Sequence, residues 1–166
     1  MTKPLANPWK QFERSFAIHV AHDGPDSLSA GTLHIDLALL MIDTGELAPA
    51  RAHTERAVAI FDRVLGAGHP DLAMALEALA TIELRSAHPD RAVAALERAV
   101  AIRAEAPGTA PNDLAATQFD LAKAIIAARG PTGRARKLAA DARVALERIG
   151  DADGVREVSD WLAAQR

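Results

Sequence analysis

The residues with most potential for chemistry in this sequence are a few histidines near its start. His19 and His22 are three residues apart, a spacing that places two imidazoles on one helix face, and Asp23 and Asp26 follow them. Zinc takes about four ligands, so two histidines followed by carboxylates in a turn make a poor site. The sequence has no cysteine, which excludes thiolate ligands and disulfides. We therefore expect no native metal site.

The glycine-rich and serine-containing segments do not match known catalytic patterns. The turns at 66–68 and 130–134 lack the lysine followed by serine or threonine that a Walker loop needs at a helix start. The serines are scattered, without a local arrangement with a histidine and an acid. The two His-Pro-Asp tripeptides, beginning at His69 and His88, are explained by proline and aspartate in the first turn of a helix. We predict that the chain is not an enzyme and uses no cofactor.

The charge and hydropathy of the sequence restrict its partners. The formal net charge of −3 disfavours nucleic acid, because binding a phosphate backbone needs clustered lysine and arginine. No stretch approaches the roughly 18 apolar residues of a membrane span, and residues 1–10 show no secretory signal. We expect a soluble cytoplasmic protein with neither nucleic acid nor a membrane among its partners.

The chain repeats itself at a step of 42 residues. Residues 55–60 and 97–102 both read ERAVAI, and residues 13–18 read ERSFAI. A Leu-Ala pair keeps the same step at 37–38, 79–80 and 121–122. Within each unit, apolar residues recur at spacings of 3 and 4, which is typical of amphipathic helices, and proline and glycine divide the unit into two helices. Such a period predicts stacked helix pairs.

We predict an all-α protein of about eight helices that forms one domain over residues 1–166. An unpaired helix of a partial repeat covers 5–22 and a capping helix covers 152–165. Three repeats cover 26–66, 69–106 and 111–149.

This pattern resembles the tetratricopeptide repeat. The residues that carry the resemblance are Leu76, Leu79 and Ala80 in one helix and Ala92 and Ala99 in the next. The repeat length and the His-Pro-Asp at His69 resemble the longer subclass of kinesin light chains and bacterial signalling proteins, including tails of serine/threonine kinases. The resemblance implies a right-handed solenoid of antiparallel helix pairs whose first helices line a concave groove for a peptide or partner helix. The sequence departs from it at His34 and Gln118, where the second unit has Leu76.

The groove is predicted from positions beside the Leu-Ala pairs that do not face the core. These are Ile35, Leu39 and Asp43 in the first unit, Met74, Glu77, Thr81 and Arg85 in the second, and Phe119 and Lys123 in the third. Alternatively, Leu39 and Phe119 are simply core residues. The family's clamp for chaperone tail carboxylates uses lysine and asparagine at such positions, which this sequence does not match. We predict a protein-interaction module, in bacterial signalling, for a peptide or helix of mixed apolar and charged character.

The N-terminal helix suggests a second kind of partner. It aligns with the second helix of a unit, yet too few residues precede it to form a first helix. Trp9, Phe12, Phe16 and Val20 follow each other at spacings of 3, 4 and 4 and form an apolar face. Three interpretations stay open. The chain is a fragment of a longer array, or a second copy or partner covers a face formed by Trp9, Phe12 and Phe16, or the helix buries all four apolar side chains internally. The alternative function is therefore a structural domain that forms a homodimer through this helix.

Overall fold

The computed structural model describes residues 9–165, and over that range it consists of eight α-helices without a strand. The helices are α1 (Trp9–Asp23), α2 (Leu28–Thr44), α3 (Leu47–Val64), α4 (Pro70–Arg85), α5 (Pro89–Glu105), α6 (Pro111–Ala127), α7 (Thr132–Ile149) and α8 (Ala152–Ala164). The predicted all-α class is confirmed.

Each helix contacts its near neighbours along the chain. The most extensive contacts join α2 to α3, α4 to α5, and α6 to α7, so these are the three helix pairs. Each pair meets the next through α3 and α4 or through α5 and α6, and α1 and α8 pack at the two ends. The first helices α2, α4 and α6 also touch one another in order. The result is a solenoid, in which stability comes from each unit and its interface with the next.

Local sequence explains where several of the helices begin. The Ser27 hydroxyl accepts a hydrogen bond from the Ala30 N–H at 3.2 Å, and one Asp151 carboxylate oxygen accepts from the Gly154 N–H at 3.0 Å. The His69 Nδ1 accepts from the Asp71 N–H, and the proline after it lies in the first turn, where it has no N–H to leave unpaired. These side chains bind donors that the first helical turn leaves free.

Small residues at fixed positions let the helices approach closely. Nine alanines that repeat along the chain are at most 1% exposed: Ala38, Ala80, Ala122, Ala50, Ala92, Ala135, Ala57, Ala99 and Ala142. Gly31 occupies the position of Ala73 and Ala115 in the later repeats. A methyl group at Gly31 would lie 2.6 Å from the Phe61 ring, so the first repeat needs glycine where its partner helix carries the larger side chain.

Candidate partner-binding groove

The inner face of the solenoid is formed by α2, α4 and α6, and positions 42 residues apart form rows across it. One such row contains Leu39, Thr81 and Lys123. Leu39 is 47% exposed, Thr81 is exposed, and Lys123 is half-buried. We name this set the outer row. Its side chains are accessible to a partner, so Leu39 is not the core residue that the alternative interpretation made it.

A second row, four residues earlier, contains Ile35, Glu77 and Phe119, and we name it the seam row. Ile35 is 2% exposed and Phe119 is 6% exposed, so both are packed between helices. Four residues turn a helix by one full turn plus about 40°, and this rotation moves the seam row from the open face into the contact between neighbouring helices. The sequence placed both rows in the groove, whereas the structure buries Ile35 and most of Phe119.

Glu77 of the seam row is held inside the protein by an ion pair. Its two carboxylate oxygens accept hydrogen bonds from Arg103 Nε at 2.7 Å and Nη2 at 2.8 Å, and the Thr117 hydroxyl lies 2.5 Å from the first oxygen. The Arg103 side chain is only 11% exposed. The hydrogen bonding of its guanidinium to Glu77 raises the pKa of Arg103 against the opposing effect of burial. Glu77 therefore joins α4, α5 and α6, and its carboxylate is already occupied.

The sequence contained a signal for Arg103 that the groove prediction did not use. The equivalent pair of positions holds Ile35 and Phe61 in the first repeat. It holds Phe119 and Leu146 in the third repeat, allowing for one extra residue between its helices. Only the second repeat has two charged residues there, and they have opposite signs. A charge at Glu77 matched by a charge at its partner position indicates an internal pair.

Arg85 and Lys123 both lie on the open face and both have internal contacts. The Arg85 guanidinium donates to the Ile42 carbonyl at 2.5 Å, so it also links α4 to the C-terminal end of α2. Lys123 Nζ lies 2.7 Å from an Asp120 carboxylate oxygen and 4.5 Å from the centre of the Phe119 ring. These are positioned cations whose outer sides face the groove.

Two adjoining clefts run along this face. The first cleft has a volume of about 340 Å³, lies between α4 and α6, and is bordered by Glu77, Thr81, Arg85, Asp120 and Lys123 over a floor of Ala80, Leu84 and Leu96. The second cleft, of about 260 Å³, lies between α6 and α8 over Phe119, Leu146 and Val158. Asp120 and Lys123 border both clefts. The structure thus brings together five of the predicted groove residues, whereas Met74 and Asp43 are exposed but border neither cleft.

The residues of the predicted self-association face do not share one environment. Phe16 packs inward, with its ring centre 4.6 Å from that of His34 and 6.3 Å from that of His53. The side chains of Trp9 and Phe12 lie outside the described residues. Ile18 is 62% exposed, although the equivalent Ile60 and Ile102 are buried.

A histidine pair lies beneath α1. The Nδ1 atoms of His34 and His53 are 2.8 Å apart, so one imidazole donates and the other must be neutral to accept. Burial lowers the pKa of His34 to about 4, and the nearby His53 and Arg56 add to this effect. Sequence reasoning missed this pair because its members are 19 residues apart on different helices.

Within residues 9–165, no group of three or more histidine, aspartate or glutamate side chains is arranged to hold a metal ion. None of their helices combines the length and apolar character required to cross a membrane.

Comparison with known proteins identifies relatives of this fold. Residues 28–105 match the sequence model of the tetratricopeptide repeat. BtubC (BKLC) from P. vanneervenii superposes with a TM-score of 0.79 at 22% identity, over 85% of this chain and 56% of that chain. Two crystal structures of a Podosopora anserina putative kinesin light chain with nearly identical TPR-like repeats give TM-scores of 0.71 and 0.70, each at 21% identity over 94% of this chain and 84% of theirs. This chain therefore spans little more than half of BtubC, and no curated protein matches its sequence.

Proposed function

Because residues 28–105 match the tetratricopeptide repeat, we propose that this chain is a non-catalytic module that binds a peptide or a helix of a partner protein in the groove along α4, α6 and α8. Domains of this fold are in general protein-interaction scaffolds. The observation that carries the proposal is the pair of adjoining clefts, which share Asp120 and Lys123. Apolar floors with polar borders provide burial for a ligand's side chains and hydrogen-bonding groups for its backbone.

The proposed setting is signalling in a bacterial cytoplasm. It rests on the resemblance of the 42-residue unit and its His-Pro-Asp to repeats of bacterial signalling proteins. The structural relatives share the fold at 21–22% identity, and the similarity to kinase tails comes from the sequence alone.

The experiment that tests groove binding fills the first cleft. Peptides selected from a random display library on the purified chain should bind at least tenfold more weakly to Thr81→Trp, because the indole occupies the space between α4 and α6. Thr81 is exposed and its hydroxyl bonds only its own helix backbone, so the fold should tolerate the change. Affinities are measured by fluorescence anisotropy, and thermal melts check folding.

The matched control adds the same side chain on another surface. Ala101 is exposed on α5, away from both clefts, and Ala101→Trp should bind the selected peptides as the wild type does. Equal binding by all three proteins would show that the groove is not the site.

A second candidate is self-association through α1, favoured by the exposure of Ile18. Ile60, at the equivalent position of α3, is covered by α2. Gly31 of α2 lies so close that a methyl group added to it would be 3.0 Å from the Ile60 side chain. In the described residues no helix covers Ile18 in this way, and the α1 helix of a second copy would bury it. Light scattering should then show a dimer that Ile18→Glu converts to a monomer. A wild-type monomer at high protein concentration would remove this candidate.

A further inference from the structure

We propose that the groove is electrically polar along its length and selects an extended segment with an acidic side chain at its α4 end and a basic side chain at its α8 end. Apolar side chains would lie between the two charges. The inference rests on the proposed function, because it specifies the partner of the same groove.

The charged side chains that border the first cleft, counted together with Arg103, sum to one positive charge. Glu77 is neutralised by its two hydrogen bonds from Arg103. Arg85 is exposed, and within residues 9–165 it forms no ion pair with any carboxylate. Its contact with the Ile42 carbonyl fixes the guanidinium without cancelling its charge. A ligand carboxylate beside Arg85 would receive a charge-assisted hydrogen bond from a positioned donor.

The middle of the groove is close to neutral. Lys123 and Asp120 are 2.7 Å apart, and they stand on the ridge where the two clefts meet. Lys123 also lies over the Phe119 ring, which keeps this pair in place. The ridge therefore contributes polar contacts and little net field to either side.

The α8 end carries net negative charge. Glu157 is exposed on the border of the second cleft, and no ion pair involves it in the described part of the chain. Asp151 borders the same cleft, where its carboxylate caps the N-terminus of α8. The floor of this cleft is apolar, with Phe119 and Val158 both buried. A lysine or arginine of the ligand would find two carboxylates there.

The spacing of the helices fixes the minimum length of the ligand. From α4 to α8 the groove crosses two interhelical steps, and each is at least about 9 Å, the distance between the axes of directly packed helices. An extended chain advances about 3.3 Å per residue, so the two charges must be separated by at least about five residues. A shorter segment cannot reach both ends.

The test uses three end-blocked, fluorescein-labelled octapeptides with an Ala-Leu interior. One has aspartate at one end and lysine at the other, one has aspartate at both ends, and one has lysine at both ends. Anisotropy at physiological ionic strength should show that the wild-type chain binds the mixed peptide about tenfold more tightly than either of the others. In Glu157→Lys the mixed peptide should lose its advantage over the peptide with two aspartates, because the new lysine offsets the charge of Asp151. Arg85→Glu should prefer the peptide with two lysines.

The controls separate charge selection from groove binding. Glu55→Lys reverses an exposed charge on α3 and should keep the wild-type order of affinities. Glu157→Lys alone decides the matter if Arg85→Glu fails to fold, since the Glu157 side chain has no hydrogen bond or ion pair within the described residues. Unchanged peptide preference in Glu157→Lys, or no measurable binding of the mixed peptide, overturns this inference. If the inference fails but Thr81→Trp still weakens the binding of the library peptides, the proposed function stands.

Discussion

Individual positions that repeat along the chain have different roles because their neighbours differ. His34 occupies the place of Leu76 and Gln118 in the later repeats, and it contacts a second histidine and a phenylalanine. The same departure from the repeat pattern that weakens the apolar core therefore creates a titratable contact between α1, α2 and α3. A single side chain at this position connects the stability of one end of the protein to pH.

The histidine pair predicts a loss of stability in acid. The unfolded chain protonates His34 near pH 6.5, whereas the folded chain keeps it neutral down to a pKa of about 4. The unfolded state thus binds more protons between these values, so the unfolding free energy falls as pH drops from about 6.5 to about 4. Thermal melts across this range should show a smaller fall in the melting temperature for His34→Gln than for wild type.

His22→Gln is the control for this measurement. The hydrogen bond to Asp23 raises the pKa of exposed His22, so any stability it contributes is present below pH 6.5 and is lost at higher pH. Its removal should not reduce the acid fall. Equal acid falls in wild type and His34→Gln would exclude the histidine pair as the cause.

At the scale of helices, the three repeats use different side chains at the same contact between their first and second helices. The contact between the seam row and the second helix is apolar in the first and third repeats and ionic in the second. Glu77 and Arg103 have only 25% and 11% of their side chains exposed, so both charges lose much of their hydration. A partly buried ion pair is costly to break, although an apolar pair of similar size can replace it.

The protein's own first repeat supplies the test of this contact. Glu77→Ile leaves Arg103 with only Asp113, at 3.5 Å, and should lower the unfolding free energy by about 2 kcal/mol or more. Arg103→Phe should have a similar cost, because Glu77 then has no cation beside it and keeps only its hydrogen bond from Thr117. The double variant restores the pair of the first repeat and should lie within about 1 kcal/mol of wild type. Urea unfolding of the four proteins gives the coupling energy.

An exposed ion pair provides the comparison. Arg156 and Asp153 on α8 are 70% and 86% exposed, and Arg156→Ala should cost less than about 0.5 kcal/mol. Additive effects of the two substitutions at Glu77 and Arg103 would show that the pair is not coupled.

At the scale of the whole molecule, the solenoid predicts a gradient of local stability. α4 packs on α2, α3, α5 and α6, whereas α1 has its main contact with α2 and reaches α3 through Phe16. Units with neighbours on both sides open less readily than units at an end. Amide hydrogen exchange should therefore be slowest in α4 and α5 and fastest in α1.

Phe16→Ala isolates the end effect. It removes the ring that packs on His34 and His53, so exchange in α1 should accelerate while α6 and α7 keep their rates. Protection of α1 equal to that of α4, or uniform acceleration in every helix, would mean that the protein opens as one cooperative unit.

The sequence alone determined the period, the helices and the class of fold. The 42-residue step, the 3 and 4 spacing of apolar residues and the prolines at helix starts are local features, because each follows from how one segment forms and ends a helix. The fold was predictable because every unit is built in the same way, so a short repeated pattern describes the whole chain.

Only the tertiary structure decided which row on that face is open. Ile35 and Leu39 differ by about 40° around one helix, so the approach of the next helix buries the first and exposes the second. Similarly, Arg103 and His53 contact Glu77 and His34 on other helices, and Phe16 packs against His34. These outcomes depend on how neighbouring helices pack, which sums many weak contacts over distant segments and is not written in the spacing within any one of them.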